Sequence, residues 1–212
     1  MSNILLISAP GAGKGVTAKY LKDKYNLVHM SIGNLLREES LKNSDLKEIL
    51  KNGDFVDNNL VYDLFEKFLN ENKNSNFVFE GFPRLIEQIK PFEEIINKKS
   101  LNIDKVIFIN IDKEIAIKRV SGRLMCKNCN EIYNKYFDNI EDMKCKKCNS
   151  ELKQREDDKI STYENRYKLF IENTLPVIEY YKDKYKDSFY EVSNNGSIKE
   201  TYNQIDSIME DK

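Results

Sequence analysis

The chain lacks several features that whole classes of function require. No apolar run approaches the roughly 20 residues needed to cross a bilayer as a helix, so no membrane-spanning role is expected. Lysine plus arginine number 34 against 35 aspartate plus glutamate, a formal charge of −1. Without a global basic field, nucleic acid is not an expected partner, and any anion site has to be local. There is one histidine, His29, at the end of a short strand candidate and with no cysteine or second histidine near it in the chain, so no triad is indicated and the residue reads as structural. Internal repeats and long low-complexity linkers are absent, and the heavy use of Lys, Asn, Ile and Glu reads as coding bias. No signal-peptide pattern opens the sequence, so a cytoplasmic protein is expected. At 212 residues the chain can bury a sizeable core in one domain with small insertions.

What is present begins at residues 3–20, NILLISAPGAGKGVTAKY. Residues 4–7 form a short apolar, partly β-branched run suited to a strand buried on both faces. Pro10 to Gly15 follow, small enough for backbone N–H groups to converge on an anion, and the next residues favour a helix whose N-terminal dipole adds positive potential there. Lys14 supplies a mobile charge for terminal phosphates. The full Walker pattern has Gly where this chain has Ser8, and Ser or Thr where it has Gly15. The order strand, turn, helix nevertheless predicts a phosphate loop.

Further strands are expected at residues 26–30, 77–79, 106–111 and 189–192, alternating with helices, which predicts a five-stranded parallel sheet covered on both faces. Ser31 is placed to cap a helix carrying Arg37, residues 42–50 continue helical to a break at Asn52-Gly53, and Asp57 with Asn58 can cap another helix. Glu80-Gly81-Phe82-Pro83-Arg84 lies just past the end of the third strand, the usual ligand edge of an open α/β sheet.

All four cysteines fall in one segment as Cys126-x-x-Cys129 and Cys145-x-x-Cys148, with fifteen residues between the pairs. That is the spacing of a four-thiolate zinc site; disulfides and unrelated free thiols are the competing readings. Four protein ligands close the coordination sphere, so the metal is expected to be structural. Arg119 and Arg123 precede this module, and Arg155 and Arg166 follow it, with Asp157 and Asp158 nearby. Such a bracket suggests a clamp over transferring phosphoryl groups.

Together APGAGKG (residues 9–15), HMSIGNLLR (29–37), EGFPR (80–84), Gln88, SGR (121–123), QREDD (154–158) and Arg166 resemble adenylate kinase, specifically the long-lid, zinc-containing bacterial type, over essentially the whole chain. The resemblance implies a P-loop NTPase-type α/β core (residues 1–30, 61–122 and 160–212), a helical monophosphate-binding cover (31–60) and a small zinc-bound lid (123–159). It implies reversible phosphoryl transfer from MgATP to AMP, giving two ADP, by a monomer. On the ATP side it places Gly11, Ala12, Gly13, Lys14, Gly15 and Val16 at the phosphates, with Arg119, Arg123, Ile132, Tyr133 and Ile198. The AMP side takes Ile32, Arg37, Asp54, Phe55, Val56, Gly81, Phe82, Pro83, Arg84 and Gln88. Arg155 and Arg166 reach the transferring group, and Glu80 orders waters on Mg2+. Lys14, Arg84, Arg119, Arg123, Arg155 and Arg166 form the catalytic set.

The sequence departs from that family's usual pattern in six places. Val16, Ile32 and Leu85 stand where threonines are usual, Asn34 and Glu80 where aspartates are, and Ser8 where a loop glycine is. These leave open a kinase preferring another nucleoside monophosphate, or a weakened enzyme retained as a nucleotide-binding zinc protein.

Overall fold

The structure is a computed structural model describing residues 2–73, 75–155 and 157–211. Glu156, within QREDD, lies outside the described residues. In chain order the elements are β1 (Ile4–Ser8), α1 (Lys14–Tyr25), β2 (Val28–Ser31), α2 (Ile32–Ser40), α3 (Ser44–Asn52), α4 (Asn58–Glu71), β3 (Phe77–Glu80), α5 (Ile86–Lys98), β4 (Lys105–Asn110) and α6 (Lys113–Gly122). Then come β5 (Arg123–Cys126), β6 (Ile132–Asn134), β7 (Leu152–Lys153), α7 (Ile160–Leu169), a π-helical turn (Phe170–Thr174), α8 (Leu175–Lys184), β8 (Phe189–Ser193) and α9 (Ile198–Glu210).

The five strands expected from the sequence make one parallel sheet in the order β2-β3-β1-β4-β8. Their ends shift by one or two residues from expectation. The second strand starts at Val28 rather than at residue 26 because Asn26 caps α1 in the left-handed conformation, φ 54°. Ile4, Leu5, Leu6, Val78, Phe79, Val106 and Ile107 are almost wholly buried, which is why these runs are continuously apolar rather than alternating. Because all five strands run the same way, Ser8, Ser31, Glu80, Asn110 and Ser193 end on one edge of the sheet.

Phe65, Phe79, Phe82 and Phe92 pack ring against ring with centroids 5.1–5.7 Å apart. Each buried ring contributes about 1.5–3 kcal/mol, and together they fasten the loop after β3 to α4 and α5.

The helical segment α2–α3 is docked on α7. Thr162 Oγ1 donates to Lys51 O at 3.1 Å, and Asn165 Nδ2 donates to Asn52 O at 3.1 Å and to Asp54 Oδ1 at 2.8 Å. Asn43 caps α3 by accepting the Leu46 N–H, and Gly53 ends it at φ 83°. Asp57 caps α4, as expected, through the N–H groups of Asn59 and Leu60. Ser31 occupies the N-cap position of α2 but its side chain makes no capping bond; its hydroxyl instead helps hold the Glu80 carboxylate ionised.

A second, antiparallel sheet of order β6-β5-β7 has its own small core of Leu124, Cys126, Cys145 and Leu152, separate from the main one.

Candidate active site

At the end of β1 the chain turns through Gly11 and Gly13, both at φ 80°, into α1. No side chain caps this helix, so its first N–H groups are left for an external acceptor. The turn is held from below: Asn194 Nδ2 donates to Ala12 O at 2.7 Å. A Cβ on Gly13 would lie 3.0 Å from that amide nitrogen, so glycine is required by space as well as by φ. The Lys14 ammonium is pushed down to about 7 by burial first and by Arg84 and Arg166, with Glu80 opposing. A cation so placed gains most from an anion.

Opposite the loop, Glu80 ends β3. Burial alone would raise its pKa, but the hydrogen bond from His29, the charge of Lys14 and the Ser31 hydroxyl hold it at about 2. His29 Nε2 lies 2.7 Å from Glu80 Oε2. Arg84 is aimed by its own turn, Nε donating to Gly81 O at 2.9 Å, and burial and Arg166 lower its pKa. Gly81, at φ 85°, lets the turn pass beneath Ile32 and the Arg84 guanidinium.

Six arginines join Lys14. Asp158 grips Arg123 by both Nε and Nη2, and Asp157 accepts from Arg155 Nε at 2.9 Å and Nη2 at 2.5 Å, and from Arg166 Nη2 at 2.7 Å. Against the opposing effect of burial, Arg155 and Arg166 keep the Asp157 carboxyl well below the usual carboxylate range. These bidentate pairs fix the guanidinium planes. Arg37 is pushed down to about 10 by burial and by Arg155. Arg119 Nη2 donates to Gly196 O at 3.2 Å.

All these cations line one cleft of about 2020 Å³, roughly twice the upper end of a single-ligand site. Gly11, Gly13, Gly15 and Val16 line it at one end with Ile132 and Tyr133 of β6 and Ile198 of α9; Ile32, Asp54, Phe55, Val56, Gly81, Phe82, Pro83 and Gln88 line it elsewhere. Ala12 is the exception among the expected nucleotide-site residues: it is buried beneath the loop and contributes its carbonyl to Asn194. Asn194 itself carries no sequence signal, since its partner is 182 residues away.

The four cysteine sulfurs lie within 4.8 Å of one another, the nearest pairs at 3.4 and 3.5 Å. Those separations are far beyond a disulfide bond and close to the roughly 3.8 Å edge of a tetrahedron with metal–sulfur bonds of about 2.3 Å. The donor set therefore fits a zinc ion. Tyr133 braces it, its hydroxyl 3.4 Å from Cys145 Sγ while accepting the Lys146 N–H at 3.0 Å.

The adenylate kinase family model matches residues 6–186. The chain belongs to the adenylate kinase family. It is 36% identical over 211 residues to an adenylate kinase of Hydrogenobaculum sp. (strain Y04AAS1), covering 97% of this chain and 99% of that one. It is 40% identical over 190 residues to one from Thermosipho africanus, covering 87% and 89%, and 34% identical over 214 residues to one from Archaeoglobus fulgidus, covering 98% of each.

Four of the six departures from the adenylate kinase pattern have a local setting in the structure. Val16 lines the cleft, whereas Thr17 is fully buried with Oγ1 lacking a partner among the described residues. Its hydroxyl does not replace the missing one. Asn34 Oδ1 accepts from Arg37 Nη2 at 2.5 Å, so the amide steers an arginine. With Leu85 unable to cap α5, the Gln88 carboxamide accepts the N–H groups of Arg84 and Leu85.

Glu80 is the longer of the two acids that could stand at its place in an adenylate kinase, and His29 meets it. Removing His29 leaves a buried carboxylate without a main partner, at a cost of about 2–4 kcal/mol. His29→Ala is expected to lower the melting temperature at pH 7 by roughly 5–15 °C, and His29→Gln, which keeps a donor, by less. Since the Glu80 pKa is lowered from 4.5, the pair contributes stability fully above that value and loses it as pH falls towards 2. Equal melting temperatures for wild type and His29→Ala would contradict this.

Proposed function

We propose that the protein catalyses MgATP + AMP = 2 ADP by in-line phosphoryl transfer between two nucleotide half-sites. The observation that carries the reading is the convergence of Lys14 and six arginines on one cleft with room for two nucleotides. A 5′-phosphate oxygen of AMP attacks the γ-phosphorus, and the bond from that phosphorus to the β–γ bridging oxygen breaks, leaving ADP on each side. Charge neutralisation and alignment do most of this chemistry, so no histidine base is needed.

In this reading the loop from Gly11 to Val16 cradles the ATP phosphates, and Arg119, Arg123, Ile132, Tyr133 and Ile198 hold the rest of ATP. Arg37 and Arg84 take the AMP phosphate. Ile32, Asp54, Phe55, Val56, Gly81, Phe82, Pro83 and Gln88 surround its base and sugar, while Arg155 and Arg166 meet the transferring group. Mg2+ bound with ATP would neutralise phosphate charge; Glu80, held ionised, would be the carboxylate for its water shell, and neither Val16 nor the Arg37-bound Asn34 offers a second carboxylate.

Residues 31–60 act as the monophosphate cover and 123–159 as a zinc-bound lid. The two covers exclude water, which would otherwise hydrolyse ATP, and their opening is the expected slow step. Both half-sites come from one chain, so a monomer suffices, and the cytoplasm supplies its nucleotides. With MgATP as donor, AMP is expected to exceed GMP, CMP and UMP as acceptor in one coupled assay. Preference for another monophosphate would shift the assignment to a different nucleotide kinase. ATP binding with negligible turnover on all four would favour the weakened enzyme that Val16 and Asn34 raise.

A further inference from the structure

Building on the AMP assignment above, we propose that Asn58, a residue outside that assignment, is a specificity-determining positioning residue. With Glu87 it holds the Gln88 carboxamide so that the acceptor base meets a hydrogen-bond donor and no free acceptor.

Gln88 is 4% exposed and lines the cleft with Ile32 and Val56. Its Oε1 accepts two backbone N–H groups, from Arg84 at 2.8 Å and from Leu85 at 3.3 Å. Only an oxygen can do this, so chemistry fixes which way the amide faces, and both of its lone pairs are engaged. Nε2 donates one hydrogen to Asn58 Oδ1 at 2.6 Å, and Asn58 Nδ2 donates to Glu87 Oε1 at 2.6 Å. A carboxylate only accepts, so Asn58 too has one possible orientation. The polarity therefore runs in one direction from Gln88 through Asn58 to Glu87. The second Nε2 hydrogen of Gln88 has no partner among the described residues. Ile32, on the same cleft, adds no polar group.

A base entering here meets one N–H. A purine whose N1 is bare accepts it. A 6-oxopurine brings its own N1–H, so two donors face each other and both are left unpaired in a buried site, the kind of mismatch that discriminates strongly. Without Asn58 the carboxamide keeps only its two backbone bonds, one of them long at 3.3 Å, so turning its oxygen to an incoming N1–H no longer breaks the bond to Asn58 as well and costs less.

The test is steady-state kinetics with MgATP and three acceptors: AMP, purine riboside 5′-monophosphate (bare N1, no amino group) and IMP (N1–H). Wild type is expected to accept the first two and to use IMP poorly. In Asn58→Ala the KM for AMP should rise roughly fivefold, with kcat and the KM for MgATP within about twofold, and the AMP-to-IMP ratio of kcat/KM should fall by about tenfold or more. A purely structural role would not change that ratio. Asn58→Asp alone sets two carboxylates against each other and should not recover it. Asn58→Asp combined with Glu87→Gln rebuilds the chain: the new amide at position 87 donates to the new carboxylate at position 58, which still accepts from Gln88. The double variant should restore the ratio. An AMP-to-IMP ratio in Asn58→Ala within twofold of wild type overturns the proposal, as does rejection of purine riboside 5′-monophosphate to the same degree as IMP. Should Asn58→Ala fail to fold, the double variant decides: a folded protein with no recovered ratio overturns it. A wild type active on AMP but indifferent to Asn58 sinks this inference alone, whereas one inactive on every monophosphate sinks the kinase reading with it.

Discussion

Lys14→Met is expected to lower kcat/KM with MgATP and AMP by about 10²–10³-fold, the loss found when one preorganised charge is withdrawn from a developing anion. The reason is where the ammonium sits. It lies at the N-terminus of α1, among Arg84, Arg123 and Arg166, whose charges lower its pKa while Glu80 raises it. No hydrogen-bond acceptor reaches it among the described residues, so an anion brought from outside is its natural partner.

The same variant separates a binding role from a folding one. A lysine held at about 7 is strained in the free protein, because the unfolded chain keeps the ordinary 10.5. Between those values the unfolded state binds more protons, so wild-type stability should rise with pH through that window. Methionine removes the titration and most of the desolvation cost. Lys14→Met should therefore melt no lower than wild type at pH 7 and show a flatter pH dependence between 7 and 10. A variant that is inactive because it unfolds would contradict the assignment.

Cys126→Ser carries the second large effect. Among the described residues the sheet β6-β5-β7 buries just Leu124, Cys126, Cys145 and Leu152 as a core of its own, too little to hold a module together without a crosslink. Four sulfurs within 4.8 Å of one another supply a place for one, and structural zinc in small peptides contributes about 10–16 kcal/mol of binding free energy. Purified wild type is expected to hold about one zinc per chain. The variant should lose it, together with roughly 10 °C of melting temperature if about 3–5 kcal/mol passes into global unfolding. Activity should fall too, because Arg123 begins β5 and Arg155 follows β7. A chelator should reproduce the effect in wild type and add nothing to the variant. Metal-free wild type after anaerobic purification would refute the zinc assignment.

Much of this molecule is legible in residue order, and for identifiable reasons. Strands buried on both faces must be continuously apolar, so the runs at residues 4–7 and 106–111 announce a parallel sheet. The loop of Pro10 to Gly15 and the paired cysteines are local motifs whose spacing is their geometry. What residue order does not reveal depends on pairs far apart in it. His29 reads as a lone structural histidine, yet it lies 2.7 Å from Glu80, a partner 51 residues on. Asn194 supports Ala12 across 182 residues, and Asn58 meets Gln88 across 30. Ser31 illustrates a different limit: it does stand at the start of α2, but a buried carboxylate outcompetes the helix for its hydroxyl. Local propensity names the candidates for such groups, and tertiary contacts choose among them.

The most direct measurement is ADP formed by purified protein from MgATP and AMP, with ATP and AMP consumption followed in the same samples. Two ADP are expected for each AMP consumed, with one ATP lost per AMP, reversal when ADP alone is supplied with Mg2+, and near-complete loss of both directions in Lys14→Met. No ADP above the ATP-only background, or equal formation by wild type and Lys14→Met, would contradict phosphoryl transfer between two nucleotides in this cleft.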